Sequence, residues 1–141
     1  MNGVCLFVAG VLRATLPTQE FTVGWMHSVE KTRWEERYRV AGSRLRLTDA
    51  RIQGSGAGME PPPRATLRDG WWTWTPARPP LNELRLTLSP FTRDYDLCWH
   101  ARCRPLAAIV TGHDRDAAHS TPDAADVAVV QVRACARAKS R

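Results

Sequence analysis

Residues 34–52, WEERYRVAGSRLRLTDARI, decide the fold. Trp34, Glu36, Tyr38 and Val40 alternate with Glu35, Arg37 and Arg39. Successive side chains of a strand point to opposite faces, so this period of two predicts a strand with one largely apolar and one charged face. Ala41-Gly42-Ser43 makes a short turn, after which Leu45 and Leu47 resume the apolar face against Arg44 and Arg46. The two strands read as a hairpin. Beyond Leu47 the apolar phase slips to Ala50 and Ile52, which requires a bulge near Thr48-Asp49.

The same period extends outward. On the N-terminal side Phe21, Val23, Trp25 and His27 share one face, with Thr22, Gly24 and Met26 on the other. On the C-terminal side residues 54–63 form a loop by composition, with three glycines followed by three prolines. Ala65 to Leu67 and Trp71 to Thr75 then read as a hairpin around Asp69-Gly70. Leu84, Leu86 and Leu88 alternate with Arg85 and Thr87, Tyr95, Leu97 and Trp99 continue the pattern, and Val127 to Val132 supplies a last strand. The expected fold is all-β, a small sandwich or barrel-like domain of about seven to nine short antiparallel strands with little helix. Residues 1–106 are expected as a single β domain, 107–126 as a mobile polar loop, 127–134 as the last strand and 135–141 as a basic tail.

A chain of 141 residues fits one domain, and 43% hydrophobic against 24% charged residues argues against wholesale disorder. Five of the six tryptophans lie between Trp25 and Trp74; core filling is their first expected role and ligand stacking the second. The net charge of +6 falls to +2 without the last nine residues, and Arg37, Arg39, Arg44 and Arg46 read as a solvated strand face. Nucleic acid is therefore not the expected partner. The apolar stretch Val4 to Leu12 is too short to span a bilayer, which takes ~20 residues, so no membrane span is expected. It also lacks the basic start and cleavage site of a secretory leader, which points to the cytoplasm. Four cysteines do not make a disulfide-dense scaffold. Cys98 and Cys103 read first as free thiols, then as a disulfide across a hairpin, and last, with His100, as soft metal ligands lacking a fourth partner.

Two segments concentrate chemistry. His27-Ser28-Val29-Glu30-Lys31-Thr32-Arg33-Trp34-Glu35-Glu36 brings an imidazole, a hydroxyl, carboxylates and cations to the junction of two strands. Gly54-Ser55-Gly56-Ala57-Gly58-Met59-Glu60 alternates glycine, so successive backbone N–H groups can converge on an anion; a plain tight turn is the competing reading. No Gly-Lys-Ser/Thr follows and no helix opens there, which excludes a phosphate loop and a dinucleotide fingerprint. His27 and Ser28 fall on opposite faces of a strand, and no Gly-x-Ser-x-Gly elbow exists, so a hydrolytic trio is disfavoured. In the blander reading His27 and Glu36 are buried polar groups that satisfy each other or nearby backbone.

The stretches HSVEKTRWEERYRV (27–40) and GSGAGMEPPP (54–63) resemble the hallmarks of a bacterial family, domain-of-unknown-function family 1850. The resemblance runs from about Val4 to Leu106, through DGWWTWTP (69–76) and YDLCWHARCRPL (95–106). It implies a gene neighbourhood with TAXI-type TRAP transporter permeases, an accessory role in uptake of organic anions, and a periplasmic setting for the many members with an N-terminal signal or anchor segment. The expectation is a non-enzymatic accessory protein without cofactor or metal, which binds a small organic anion through His27, Ser28, Glu30, Glu36, Gly54, Ser55, Gly56 and Gly58. A module docking on a transporter component is the alternative. A hydrolytic or metal-assisted enzyme using His27, Glu30 and Glu36 is the third reading.

Overall fold

The computed structural model describes residues 2–26, 32–54, 62–112 and 127–136. In chain order the strands are β1 (Asn2–Val8), β2 (Val11–Leu16), β3 (Glu20–Met26), β4 (Arg33–Ala41), β5 (Arg44–Gln53), β6 (Thr66–Arg68), β7 (Trp71–Trp74), β8 (Leu84–Leu88), β9 (Asp96–Trp99) and β10 (Arg102–Pro105). The helix α1 (Leu106–Thr111) and the strand β11 (Ala128–Ala136) follow. The strands form two antiparallel sheets, ordered β2-β1-β11-β8 and β10-β9-β3-β4-β5-β7-β6. The protein is all-β, and of the two expected shapes the sheets adopt the sandwich. Among the described residues no helix is long and apolar enough to cross a membrane.

Alternation explains the core. Val4, Leu6, Leu86, Val130 and Val132 from the smaller sheet meet Phe21, Val23, Tyr38, Leu45 and Leu97 from the larger, each 5% exposed or less. Fully burying one such side chain stabilises the fold by about 1.5–3 kcal/mol relative to exposure. The bulge lies where the phase slip requires it. Arg37 pairs Asp49 and Tyr38 pairs Leu47, so Thr48 has no partner in the ladder and its hydroxyl donates to the Arg37 carbonyl at 3.2 Å. Leu45, Leu47, Ala50 and Ile52 are all buried as a result.

Several expectations change. Among the described residues eleven strands are present rather than about seven to nine, because the first apolar run folds back on itself as β1 and β2, and Arg102–Pro105 adds β10. Their turn, Ala9-Gly10, has φ of 49° and 77°, the positive pair that a two-residue hairpin needs. The loop expected over 107–126 loses its first five residues to α1. That helix starts after Pro105, ends at Gly112 with φ 75°, and buries Leu106 to Val110 in the core. The Asp94 carboxylate accepts from the N–H groups of Tyr95 and Ala107 at 2.8 and 2.9 Å and so positions the helix start.

The last strand runs from Ala128 to Ala136 instead of 127–134, and takes Cys135 and Ala136 from the expected tail. It lies between β1 and β8, so residues 1–106 are not a complete unit without it. The free-thiol reading also gives way. Cys98 and Cys103 are direct cross-strand partners and are bonded, and Cys5 is bonded to Cys135. The Cys98–Cys103 bond closes a hairpin whose turn residues, His100 and Ala101, hold φ of 50° and 62° without a glycine. Such backbone costs of order 1 kcal/mol per residue and persists where its surroundings enforce it.

Candidate functional site

Strand register brings the end of β3, the start of β4 and the end of β5 to one end of the larger sheet. Met26 pairs Arg33, Trp34 pairs Ile52, and Gln53 pairs Trp71. The connection from β3 to β4 and the segment that follows β5 both leave from that end. Their departure points are separated by two strand spacings, ~10 Å. Of the expected site residues, His27, Ser28, Glu30, Ser55, Gly56 and Gly58 lie outside the described residues. Gly54 is described, and its N–H donates to the Gly70 carbonyl at 3.2 Å, so that amide already has its acceptor.

On the inward face of this end, an aromatic row crosses the sheet. Trp25 and Trp34 are direct partners with ring centroids 6.1 Å apart and planes 18° from parallel. Tyr95 meets Trp25 edge to face at 6.1 Å. Ile52 continues the row opposite Trp34, then Trp72 opposite Ile52 and Leu67 opposite Trp72. All six tryptophans are half-buried, and two of them, Trp25 and Trp99, pack against the buried core.

The next row inward reads Leu97, Val23, Glu36, Ala50 and Trp74. Glu36 is the acid among those apolar neighbours, and its side chain keeps 21% of its exposure. Burial raises its pKa above the ordinary carboxyl range, opposed by the nearby Arg78 guanidinium and by a hydrogen bond from the Tyr38 hydroxyl. Burial, with the Glu36 charge beside it, also pushes the Tyr38 hydroxyl far up, so Tyr38 remains a donor. Arg78 Nη1 stands 3.9 Å from Glu36 Oε2 and is 66% exposed, which makes it a loose partner free to turn toward an incoming group. The reading in which Glu36 and His27 satisfy each other lies outside the described residues in its His27 half.

The outward face of the same sheet has a different character. Arg33 donates to Glu35 at 3.0 Å and to Asp96 at 2.9 Å, and Arg51 donates to the other Glu35 oxygen at 2.6 Å. The Arg51 guanidinium also lies 3.9 Å from the centre of the Trp71 ring. Arg37 pairs Asp49 at 3.4 Å beside a shallow depression that Thr22 and Thr73 help to line. Every one of these cations faces an acid, so this part of the face is electrically balanced and offers little to a small anion.

Sequence reasoning found Glu36 because it is the acid that falls in an apolar phase. It missed Arg78, which lies in a proline-rich stretch with no period, and Trp72 and Trp74, whose faces follow only from the register of β7 against β5.

A family model described as Domain of unknown function (DUF1850) matches residues 21–106, from the buried Phe21 of β3 to the first residue of α1. No curated protein matches the chain, and no solved structure does.

Proposed function

The chain belongs to the DUF1850 family, and from that premise we propose that it is a non-enzymatic binding module that serves TRAP-type solute uptake by holding a small organic anion at the open end of its larger sheet. The half-buried row of Trp25, Trp34 and Trp72 carries this reading. Rings of that size bring large apolar area to a site, and stacking against them adds about 0.5–1.5 kcal/mol per contact. The body of the ligand lies on the row, and its carboxylate meets Arg78.

Glu36 makes the binding pH-dependent. Its carboxyl is already held above the ordinary range by burial, so an incoming carboxylate drives it to the neutral form. Binding then takes up a proton and tightens as pH falls, until the ligand itself protonates. His27, Ser28, Glu30 and the glycines that follow Gly54 belong to the segments that leave from this end, and the proposal keeps them as further contacts. Two disulfides support an oxidising compartment, in keeping with the periplasmic setting that the family resemblance implies.

Tryptophan emission titrated with a panel of organic acids, amines and sugars tests the reading. Saturable shifts with acids are expected, weakened in Arg78→Gln and abolished in Trp34→Ala. A response confined to amines or sugars would overturn the anion assignment. No response to any solute, together with binding to a permease loop peptide, would replace solute binding by docking.

A further inference from the structure

The hairpin of β6 and β7, whose Trp72 and Leu67 end the aromatic row, also borders a groove with a volume of about 370 Å³, reached by Thr66, Arg68 and Thr73 from the opposite face. Arg64, Thr66, Arg68, Thr73, Trp74 and Thr75 line it. Two arginines, three threonines and Trp74 border it, and among the described residues no acid does. Among the described residues neither Arg64 nor Arg68 pairs with a carboxylate, in contrast to Arg33, Arg37 and Arg51 on the adjoining surface. Thr66 and Thr73 are direct cross-strand partners, so their hydroxyls stand at one level, and Arg68 follows two residues along the same face.

The backbone at Arg64 supplies a second observation. Ala65 donates its N–H to the Pro62 carbonyl at 3.1 Å, which closes a four-residue turn over 62–65. Arg64 is the third residue of that turn and holds φ at 70°, where glycine or asparagine is the usual occupant. An arginine with no ion-pair partner among the described residues, kept at a place that favours glycine, sits there for its guanidinium rather than for the turn.

We infer that this groove is a binding site for a small hydroxylated dianion, a dicarboxylate or a phosphate ester. Two guanidiniums match two negative charges through forked hydrogen bonds. The threonine hydroxyls donate to and accept from the hydroxyls of the ligand. The groove shares Thr73 with the balanced depression next to it, which gives the uncharged part of the ligand room to extend. This site is separate from the aromatic row and does not depend on it.

Calorimetric titration of the whole chain with inorganic phosphate and with citrate, at low salt, tests the inference. Saturable binding of one or both is expected, weakened about tenfold in Arg68→Gln, as the loss of a charged hydrogen bond implies. Arg64→Gly should weaken binding as much while leaving the melting temperature equal or higher, because glycine suits the turn. Arg44→Gln, at an exposed arginine on the β4–β5 turn, controls for net charge and should leave affinity unchanged. Trp34→Ala should leave it unchanged too, which separates this site from the one proposed above. Absence of saturable binding, or equal weakening by Arg44→Gln and Arg68→Gln, would overturn the proposal.

Discussion

Arg33 and Asp96 meet at 2.9 Å across the strand that separates their own. Arg33 is on β4 and Asp96 on β9, and β3 runs between them. The crossing is open because β3 has Gly24 beneath the guanidinium: a Cβ there would stand 2.3 Å from Arg33 Nη2. With Glu35 and Arg51 the link continues to β5, so one strap of charges ties β9, β4 and β5 together across β3 at the end where the aromatic row lies.

A double-mutant cycle on Arg33→Gln and Asp96→Asn should therefore return a coupling of about 0.5–1 kcal/mol in denaturant unfolding, smaller in high salt because both side chains are partly exposed. Repeated in a Gly24→Ala background, the cycle should return a coupling near zero. An unchanged coupling there would show that Arg33 reaches Asp96 by another route.

Glu36 gives a pH prediction with a definite sign. Its folded pKa is raised, so between the unfolded and folded values the native state holds more protons, and stability falls as pH rises through that window. Above the window the ionised carboxylate carries the full penalty. Glu36→Gln, which keeps an acceptor for the Tyr38 hydroxyl, should be more stable than the parent at pH 7. The gain should vanish as pH drops below the ordinary carboxyl value of 4.5, checked by thermal melts across that range.

The two disulfides should differ in weight. Cys5–Cys135 spans 130 residues and Cys98–Cys103 only 5. Chain entropy assigns about 5 kcal/mol to the first closure and about 2 kcal/mol to the second. Paired Ser substitutions, compared by urea unfolding, should show the larger loss for Cys5 and Cys135.

The Trp25–Trp34 pair should be visible spectroscopically. Two stacked indoles at 6.1 Å couple as an exciton pair in circular dichroism, and Trp34→Phe should remove that signal. The same change should cost about 0.5–1.5 kcal/mol for the ring pair. A couplet that survives in Trp34→Phe would assign it to other rings.

The parts of the fold that could be read in the sequence are those whose periodicity is local. Residues 34–52 specify two strands, their faces and the bulge, because a slip in phase has only one structural remedy. Asp69-Gly70 marks its hairpin through turn chemistry. By contrast, Val4 to Leu12 contains no polar alternation to reveal a turn at Ala9-Gly10. The run Leu106 to Val110 is too short to show a helical period. Cys5 finds Cys135 only once β1 and β11 are side by side, a relation fixed by tertiary packing. The same divide runs through the site: Glu36 stands out in its strand, whereas Arg78 acquires meaning only from the sheet it overhangs.

The central place of β11 in the smaller sheet has a consequence for how the chain acquires its structure. β1 and β2 leave the ribosome before the other described strands, yet the inner edge of β1 awaits Ala128–Ala136, far along the chain. Until then the N-terminal hairpin presents an unpaired edge and an uncovered apolar face, the features that invite association between chains. The smaller sheet can close only after β11 has been made, and it closes through contacts distant in sequence, which slows the search. Folding of the sandwich therefore waits on Ala128–Ala136, and a chain truncated before Ala128 is left with an open smaller sheet and a sticky edge.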